Sequence, residues 1–230
     1  MIETAMILAA GRGERMRPLT DTVPKPLIPV AGRSMLDRTM DRLASHGLRK
    51  IVVNVHHLGE QIASHLAGRA TIVHEEQLLD TGGSVKNALP LLGNGPFFIL
   101  NGDGLWQEGA TPMLDRMTSA WDSRRMDALL LLHPFTKAIG HDAKDRGDYF
   151  LEPDGRARLR SKAERAPYFF ASISICEASL FCDSPDAPFS LVKLWSRAEA
   201  AGRLHGLVHD GQWFHIGTPQ ALAEAEKALV

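Results

Sequence analysis

The sequence predicts an α/β fold, on three observations. From Thr4 to Leu100, short apolar runs alternate with amphipathic helical patterns at βα spacing, which builds a parallel sheet with helices on its faces. A glycine-rich turn ends the first apolar run, at the kind of strand end where open α/β sheets bind ligands. Beyond residue 132 the alternation gives way to short runs broken by turn residues. The expected architecture is Rossmann-like: a mixed, mainly parallel sheet flanked by helices, with a hairpin-rich second half. No Gly/Ser linker divides the 230 residues, so one domain is expected, its halves meeting near residues 132 and 133.

The elements follow in order. Thr4 to Ala9 is a continuous apolar run and reads as a buried strand. Ser34 to His46 reads as a helix: Ser34 and Asp37 resemble a capping box, Met35, Leu36, Met40 and Leu43 share a face, and Gly47 ends it. Lys50 to Val55 is a second strand, Leu58 to Leu66 a second helix stopped by Gly68, and Ala70 to His74 a third strand. Gly82 and Gly83 precede a helical pattern through Val85, Ala88 and Leu89. A glycine pair opening a helix offers backbone N–H groups to an anion or a base edge. Pro96 to Leu100 is a fourth strand, Pro112 to Trp121 a helix and Asp127 to Leu132 a fifth strand. His133 to Arg146 lacks periodicity and reads as a loop, either over the site or a surface excursion.

Asp148 to Glu152 and Arg156 to Arg160 form a hairpin about Pro153-Asp154-Gly155. Tyr168 to Cys176 reads as a strand, Phe189 to Ala201 as a helix, and Leu204 to His209 and Trp213 to Ile216 as short strands. Thr218 caps the last helix, with Pro219 at its first position.

Composition bounds the function. A net charge of −1 gives no global basic field, so a nucleic-acid partner is not expected and any anion site must be local. No apolar run approaches the roughly 20 residues that span a bilayer, and the start lacks a basic segment followed by an apolar stretch and cleavage site; a cytoplasmic, membrane-free protein is expected. Cys176 and Cys182 read as reduced thiols, too few for a zinc site. His56 and His57 end a strand with no ligand at metal spacing. Neither composition nor charge indicates an oligomeric state.

The chemistry concentrates between Ala10 and Leu27. Gly11 and Gly13 let backbone N–H groups approach a ligand, Arg12, Arg15 and Arg17 supply charge, and Lys25 stands between Pro24 and Pro26. Pro26 is expected to hold Lys25 extended, as a stiff mount for one ammonium group. Such a set suits a phosphate chain. The dinucleotide fingerprint is excluded, because its third glycine would fall at Met16, and a P-loop is excluded because no Lys-Ser/Thr follows. Farther on, Asn101-Gly102-Asp103-Gly104 leaves a buried strand. A carboxylate there is a candidate Mg²⁺ ligand, since Mg²⁺ takes one or two carboxylates plus substrate phosphates.

Leu8-Ala-Ala-Gly-x-Gly-x-Arg-Met-x-Pro-Leu-Thr followed by Pro24-Lys-Pro-Leu27 resembles the sugar-1-phosphate nucleotidyltransferase family. Thr81-Gly-Gly, Asn101-Gly-Asp and Ile216-Gly-Thr-Pro arrive in the family's order, so the resemblance covers nearly the whole chain. Within it, details such as Arg146-Gly-Asp-Tyr-Phe150 are most similar to enzymes that uridylylate N-acetylmuramate 1-phosphate, with the mannose-1-phosphate guanylyltransferase-like group next. The resemblance implies in-line attack of a sugar-1-phosphate oxygen on the α-phosphorus of a nucleoside triphosphate, releasing pyrophosphate. It implies these roles: Ala10, Gly11 and Gly13 hold the triphosphate, Arg15 neutralises the leaving pyrophosphate, Lys25 bridges the two reacting phosphates, and Asp103 holds Mg²⁺. Gln77, Thr81 and Gly82 fall where the base is read, and Asn101 and Asp148 face the sugar. Gln77 could equally be an exposed loop amide, and Asp148 a solvated hairpin carboxylate.

One position departs from the family's pattern. Relatives usually place an aspartate, a second metal ligand, where His215 stands. Imidazole is a poor partner for Mg²⁺. Three readings stay open: the metal rests on Asp103 and substrate phosphates, His215 favours a softer ion such as Mn²⁺ or Co²⁺, or the chain is a non-catalytic sugar-nucleotide binder.

Overall fold

The computed structural model describes residues 2–142 and 144–229. Its elements, in chain order, are β1 (Thr4–Leu8), a two-residue ribbon of β2 (Pro29–Val30) and β3 (Arg33–Ser34), α1 (Met35–Ser45), β4 (Lys50–Val55), α2 (Gly59–Leu66), β5 (Thr71–His74), α3 (Asp80–Leu92), β6 (Phe97–Asn101), β7 (Leu105–Gln107), α4 (Met113–Ala120), β8 (Ala128–Pro134), β9 (Tyr149–Leu151), β10 (Ala157–Leu159), β11 (Tyr168–Cys176), α5 (Leu191–Ala200), β12 (Leu204–Val208), β13 (Gln212–Phe214) and α6 (Pro219–Leu229). Most expected elements stand within one or two residues of their sequence bounds. The α1 cap forms as expected: Asp37 N–H donates to Ser34 Oγ at 3.0 Å. Thr218 Oγ1 accepts from Ala221 N–H at 3.2 Å to start α6.

A nine-stranded sheet runs β10-β9-β11-β6-β1-β4-β5, with β8 against β11 and β12 beyond β8. The strands β6, β1, β4 and β5 are mutually parallel, and β11 turns antiparallel against β6. Both faces are covered, which is why the strands read as continuous apolar runs. Ala5, Ile7, Val53, Phe98 and Leu100 meet Leu36, Met40, Ile62, Leu66 and Met117 of α1, α2 and α4 on one face. Met6, Val52, Phe97 and Ile99 meet Val85, Ala88, Leu191, Leu194 and Trp195 of α3 and α5 on the other. Fully burying each Val, Leu, Ile, Met or Phe among them contributes about 1.5–3 kcal/mol relative to leaving it exposed.

Two features position the site. First, β11 is split by a bulge between Phe170 and Ser174, with Ser172 at φ 67°. Its later residues pair with β6, while Tyr168 pairs with Tyr149 of β9. The sheet therefore opens between the end of β6 and the start of β9. Second, β7 and β13 pair antiparallel, Trp213 opposite Trp106. This ribbon, missed on the β7 side in the sequence, joins the loop before β7 to the residues after β13, so Asp103 and His215 arrive at the same end. A small core of Met16, Ile28, Val30, Leu105, Phe214, Ile216 and Ala225 fastens that end to the first loop.

Three expectations are corrected here. The helix α3 starts at Asp80, so Gly82 and Gly83 lie inside its first turn rather than before it. Lys25 opens a 3₁₀ turn, Lys25–Leu27, instead of lying extended: Leu27 N–H reaches Pro24 O at 2.8 Å and Ile28 N–H reaches Lys25 O at 3.1 Å. Those two bonds outweigh the mild bias imposed by the following proline. The segment read as a loop from His133 begins as strand, since β8 runs to Pro134 and His133 is fully buried; Ala143 of that segment lies outside the described residues.

Candidate active site

The first loop is built by two glycines with different jobs. Gly13 sits in the left-handed region at φ 63°, and a Cβ there would come within 2.8 Å of Thr20 Cγ2. Thr20 Oγ1 in turn donates to Gly13 O at 2.9 Å, and Met16 N–H to the same oxygen at 2.8 Å. Gly13 is therefore required by the backbone. A Cβ on Gly11 would meet nothing within 4 Å. No packing or strain demands glycine there, which leaves room for a ligand to lie against the backbone.

The root of the loop is tied down from behind. Ala9 N–H donates to Asn54 Oδ1 at 3.0 Å, and Asn54 Nδ2 donates to Glu75 Oε1 at 2.8 Å. Asn54 and Glu75 are 1% and 6% exposed. On the far side, Gly102 N–H donates to Leu8 O at 2.8 Å, and a Cβ at Gly102 would lie 2.9 Å from that oxygen and 3.2 Å from Pro26 Cγ. This close approach sets the Asn101–Gly104 turn directly against β1 and Pro26. It brings Lys25 Nζ to 2.5 Å from Asp103 Oδ2. The lysine read as the cationic end and the aspartate read as the metal end are thus in direct contact.

Two cavities open from this point. The larger, about 680 Å³, is lined by Ala10, Gly11, Arg12, Gly13, Arg15, Lys25, Thr81, Asn101 and Asp103, and by Glu75, Leu78, Asp80 and Ser84. The smaller, about 310 Å³, lies in the opening between β6 and β9 and is lined by Arg15, Lys25, Asn101, Asp103, Asp145, Asp148, Phe169, Phe170, Ser172, Trp213 and His215. Arg15, Lys25, Asn101 and Asp103 belong to both walls and form the seam. A third hollow of about 460 Å³ adjoins them beside Arg15 and His215.

Burial perturbs two groups of the smaller cavity. It raises the Asp148 carboxyl, against the Phe170 N–H that donates to Asp148 Oδ2 at 3.0 Å and the nearby Arg160 charge. Burial also lowers His215, and the charges of Arg15 and Lys25 lower it further. His215 lies just past β13 between Phe214 and Ile216, both buried in the small core, and borders the smaller cavity. Trp213 packs beside it with ring centroids 5.6 Å apart.

Of the residues singled out in the sequence, Arg17, Gln77, Gly82 and Gly83 line neither cavity, and Arg17 instead pairs with Asp21 at 3.2 Å. Gln77 is exposed. Gly82 and Gly83 donate their N–H groups to Phe189 O at 2.8 and 3.1 Å, so those groups are already spent on the chain, contrary to the anion-or-base reading of the pair. A Cβ on Gly82 would lie 2.3 Å from the Phe189 ring, so glycine there serves helix packing. Thr81 lines the cavity while its Oγ1 accepts from Leu191 N–H at 2.9 Å. Sequence reasoning passed over Glu75, Leu78, Asp80 and Ser84. No sequence signal marked them: Asp80 takes a left-handed conformation at φ 57° at the start of α3, which its residue type does not announce.

The chain matches the nucleotidyl transferase family over residues 4–230. It is 42% identical to the N-acetylmuramate alpha-1-phosphate uridylyltransferase of Caulobacter vibrioides, over 98% of this chain and 96% of the relative. It is 36% identical to the enzyme of the same name from Neisseria meningitidis, over 96% of each. Among solved structures, the UDP-glucose pyrophosphorylase of Acinetobacter baumanii superposes with a TM-score of 0.80 at 17% identity, covering 98% of this chain and 92% of that one. HddC from Yersinia pseudotuberculosis, complexed with GMP-PN, gives 0.78 at 20% identity over the whole of both chains. At such identities the structures establish the fold, a Rossmann-like mixed sheet between helices. Among the described residues no helix is long and apolar enough to cross a membrane. Family and fold together place this chain among the sugar-1-phosphate nucleotidyltransferases, enzymes that transfer a nucleotide onto a sugar 1-phosphate.

Proposed function

We propose that this chain transfers a uridylyl group from UTP to N-acetylmuramate 1-phosphate, forming the nucleotide sugar and pyrophosphate. The observation that carries the reading is the seam: two cavities of unequal size share Arg15, Lys25, Asn101 and Asp103 and little else. A reaction between two anionic substrates needs one point where both phosphates meet fixed positive charge. The choice of base and sugar is supported by the relatives at 42% and 36% identity, which bear that name.

The triphosphate lies along Gly11–Arg15 in the larger cavity, with the open space over Gly11 admitting it to the backbone. The sugar phosphate enters the smaller cavity, where Asp148 and Asn101 meet sugar hydroxyls. The attacking phosphate oxygen is already ionised, so no strong base is required of the chain. Lys25 stands at the seam, where it can contact both reacting phosphates; its side chain is only 12% exposed, so its position is well held. Arg15 borders all three hollows and is placed to follow the departing pyrophosphate.

A divalent ion fits this site in one way. Among the described residues no three His, Cys, Asp or Glu side chains converge on a common point. The chain offers one carboxylate facing both cavities, and Mg²⁺ is the ion that works with one carboxylate, waters and substrate phosphates. Asp103 would hold it, and the ion would supply charge neutralisation at the reacting phosphoryl group. His215 then borders the acceptor without ligating Mg²⁺; Mn²⁺ and Co²⁺ are the ions for which its imidazole would matter.

The test is pyrophosphate release over a grid of nucleoside triphosphates and sugar 1-phosphates, each with Mg²⁺, Mn²⁺ and Co²⁺. UTP with N-acetylmuramate 1-phosphate and Mg²⁺ should give the highest kcat/KM. A strong GTP and mannose 1-phosphate preference would replace the assignment. No turnover in any combination would leave a sugar-nucleotide-binding protein.

A further inference from the structure

We infer that the Ser172 hydroxyl contacts the sugar of the acceptor, and that this contact is why a side chain stands at a backbone position suited to glycine. The inference deepens the reading of the smaller cavity as the sugar-phosphate site and rests on it.

Ser172 takes φ 67°, in the left-handed region that favours glycine. Among the described residues, the other non-glycine positions of this kind are Ala31, Leu58, Ala67, Asp80 and Asp183, and all stand at turns or helix ends. Ser172 alone lies inside a strand. It takes no part in pairing there. The strand β11 pairs with β8 through residues 168–170 and 174–176, and with β6 through residues 173–176, so Ser172 falls in the gap of both ladders. Glycine would serve such a bulge with less strain. What serine adds is the hydroxyl.

Room for that group is built into the opposite wall. Ser172 is 9% exposed and lines the smaller cavity. Beside it lies Gly104, the residue after Asp103. A Cβ on Gly104 would come within 3.2 Å of Ser172 Cβ and 3.9 Å of its Oγ, so the bare glycine makes space for the serine. Along the bulge, Asp148 Oδ2 takes Phe170 N–H at 3.0 Å and Ser174 Oγ takes the Cys176 thiol at 4.0 Å; the Ser172 hydroxyl has no partner among the described residues. It is also the one hydroxyl on the described cavity wall.

Its place decides which part of the acceptor it meets. Arg15, Lys25, Asn101 and Asp103 form the seam, where the phosphates lie. Ser172 borders the smaller cavity alone, so the sugar body falls against it rather than the phosphate. Ionised carboxylates such as Asp145 and Asp148 on the same wall only accept hydrogen bonds. A serine hydroxyl can donate as well, and so suits a sugar oxygen that carries no proton: a ring, ether or acyl oxygen.

Two variants separate the hydroxyl from the backbone. Ser172→Gly removes the hydroxyl and the left-handed constraint together, and Ser172→Ala removes the hydroxyl alone. Pyrophosphate release, with each substrate varied in turn, should show the KM for the sugar 1-phosphate raised about fivefold in both, on the scale of one neutral hydrogen bond. The KM for UTP should stay within about twofold. Ser172→Gly should melt no lower than Ser172→Ala, because it sheds the strain. Loss of acceptor affinity without loss of stability is a result that a purely structural serine does not give. A folded Ser172→Ala enzyme with the wild-type KM for the sugar 1-phosphate overturns the inference. So does a rise in Ser172→Gly alone, the mark of a backbone effect, and so does an equal rise in the KM for both substrates. If the wild type turns over no sugar 1-phosphate, the reading of the cavity fails and this contact with it, a result visible before any variant is made.

Discussion

On the phosphate side, Gly11, Gly13, Arg15 and Lys25 come from one short stretch, and backbone contacts lock them: Thr20 to Gly13, Gly102 to Leu8, Asn54 to Ala9. The acceptor side draws Asp103, Asp148, Phe170, Ser172, Trp213 and His215 from separated segments, joined only through a split strand and a two-stranded ribbon. The first side is rigid because its own sequence is local and specialised. The second is rigid because distant aromatic side chains pack on one another: Phe169 lies 5.0 Å from Phe135 and 5.7 Å from Trp213, centroid to centroid. Changing the phosphate side should strike chemistry directly, whereas changing the acceptor side should act through affinity or stability.

The largest effect is expected where the two sides meet. Asp103→Ala should lower kcat by about 10²–10³, the scale of removing one electrostatic stabiliser, as read by pyrophosphate release. Because alanine also strands Lys25, Asp103→Asn is the fairer probe: it keeps an acceptor for Lys25 and loses the charge. A near-wild-type rate for the Asn variant would remove Asp103 from the chemistry. Next in size is an acid effect on the acceptor side. His133 is fully buried beside His209, and burial pushes it down to about 4. The unfolded chain then binds a proton near pH 6.5 that the folded chain refuses. Stability should fall as pH drops from about 6.5 towards 4, by about 3 kcal/mol at most. Denaturant unfolding across that range checks it, and His133→Phe should flatten the slope.

The two glycines sharpen the contrast within the phosphate side. Gly13→Ala should lose about 1–3 kcal/mol of stability, because it forces a side chain into a left-handed backbone and against Thr20. Gly11→Ala should melt like the wild type while raising the KM for UTP roughly tenfold, because its methyl enters the ligand's space alone. If both variants lose stability alike, the open space over Gly11 has no functional meaning.

These differences also explain how much could be read beforehand. The strand–helix alternation, the α1 cap, the P-D-G hairpin and the long strand from Tyr168 to Cys176 were legible because each rests on local periodicity or turn chemistry. So was the phosphate loop, whose glycines, arginines and proline-flanked lysine are contiguous. The acceptor cavity was not, because the β11 bulge that opens the sheet depends on Ser172 taking φ 67°, a conformation its residue type does not announce. The contact between Lys25 and Asp103 spans 78 residues and could not be inferred from either motif. Gly82 misled for a physical reason: glycine marks close approach, and here the approaching group is Phe189 rather than a ligand.

Two smaller effects test the boundary of the site. Asp148→Asn keeps the acceptor for Phe170 N–H and removes only charge, so it should raise the KM for the sugar phosphate by roughly tenfold and leave that for UTP unchanged. Gln77→Ala should do almost nothing. Gln77 is exposed and lines neither cavity, while Glu75, two residues earlier, is buried in the wall. A surface substitution of this kind is worth within about 0.5 kcal/mol, so kcat/KM for UTP should stay within about twofold. A tenfold loss would mean that the segment between β5 and α3 swings inward when nucleotide binds, bringing Gln77 onto the base. Steady-state kinetics with UTP would then show it, since a Gln77 contact made on closure changes kcat and KM together.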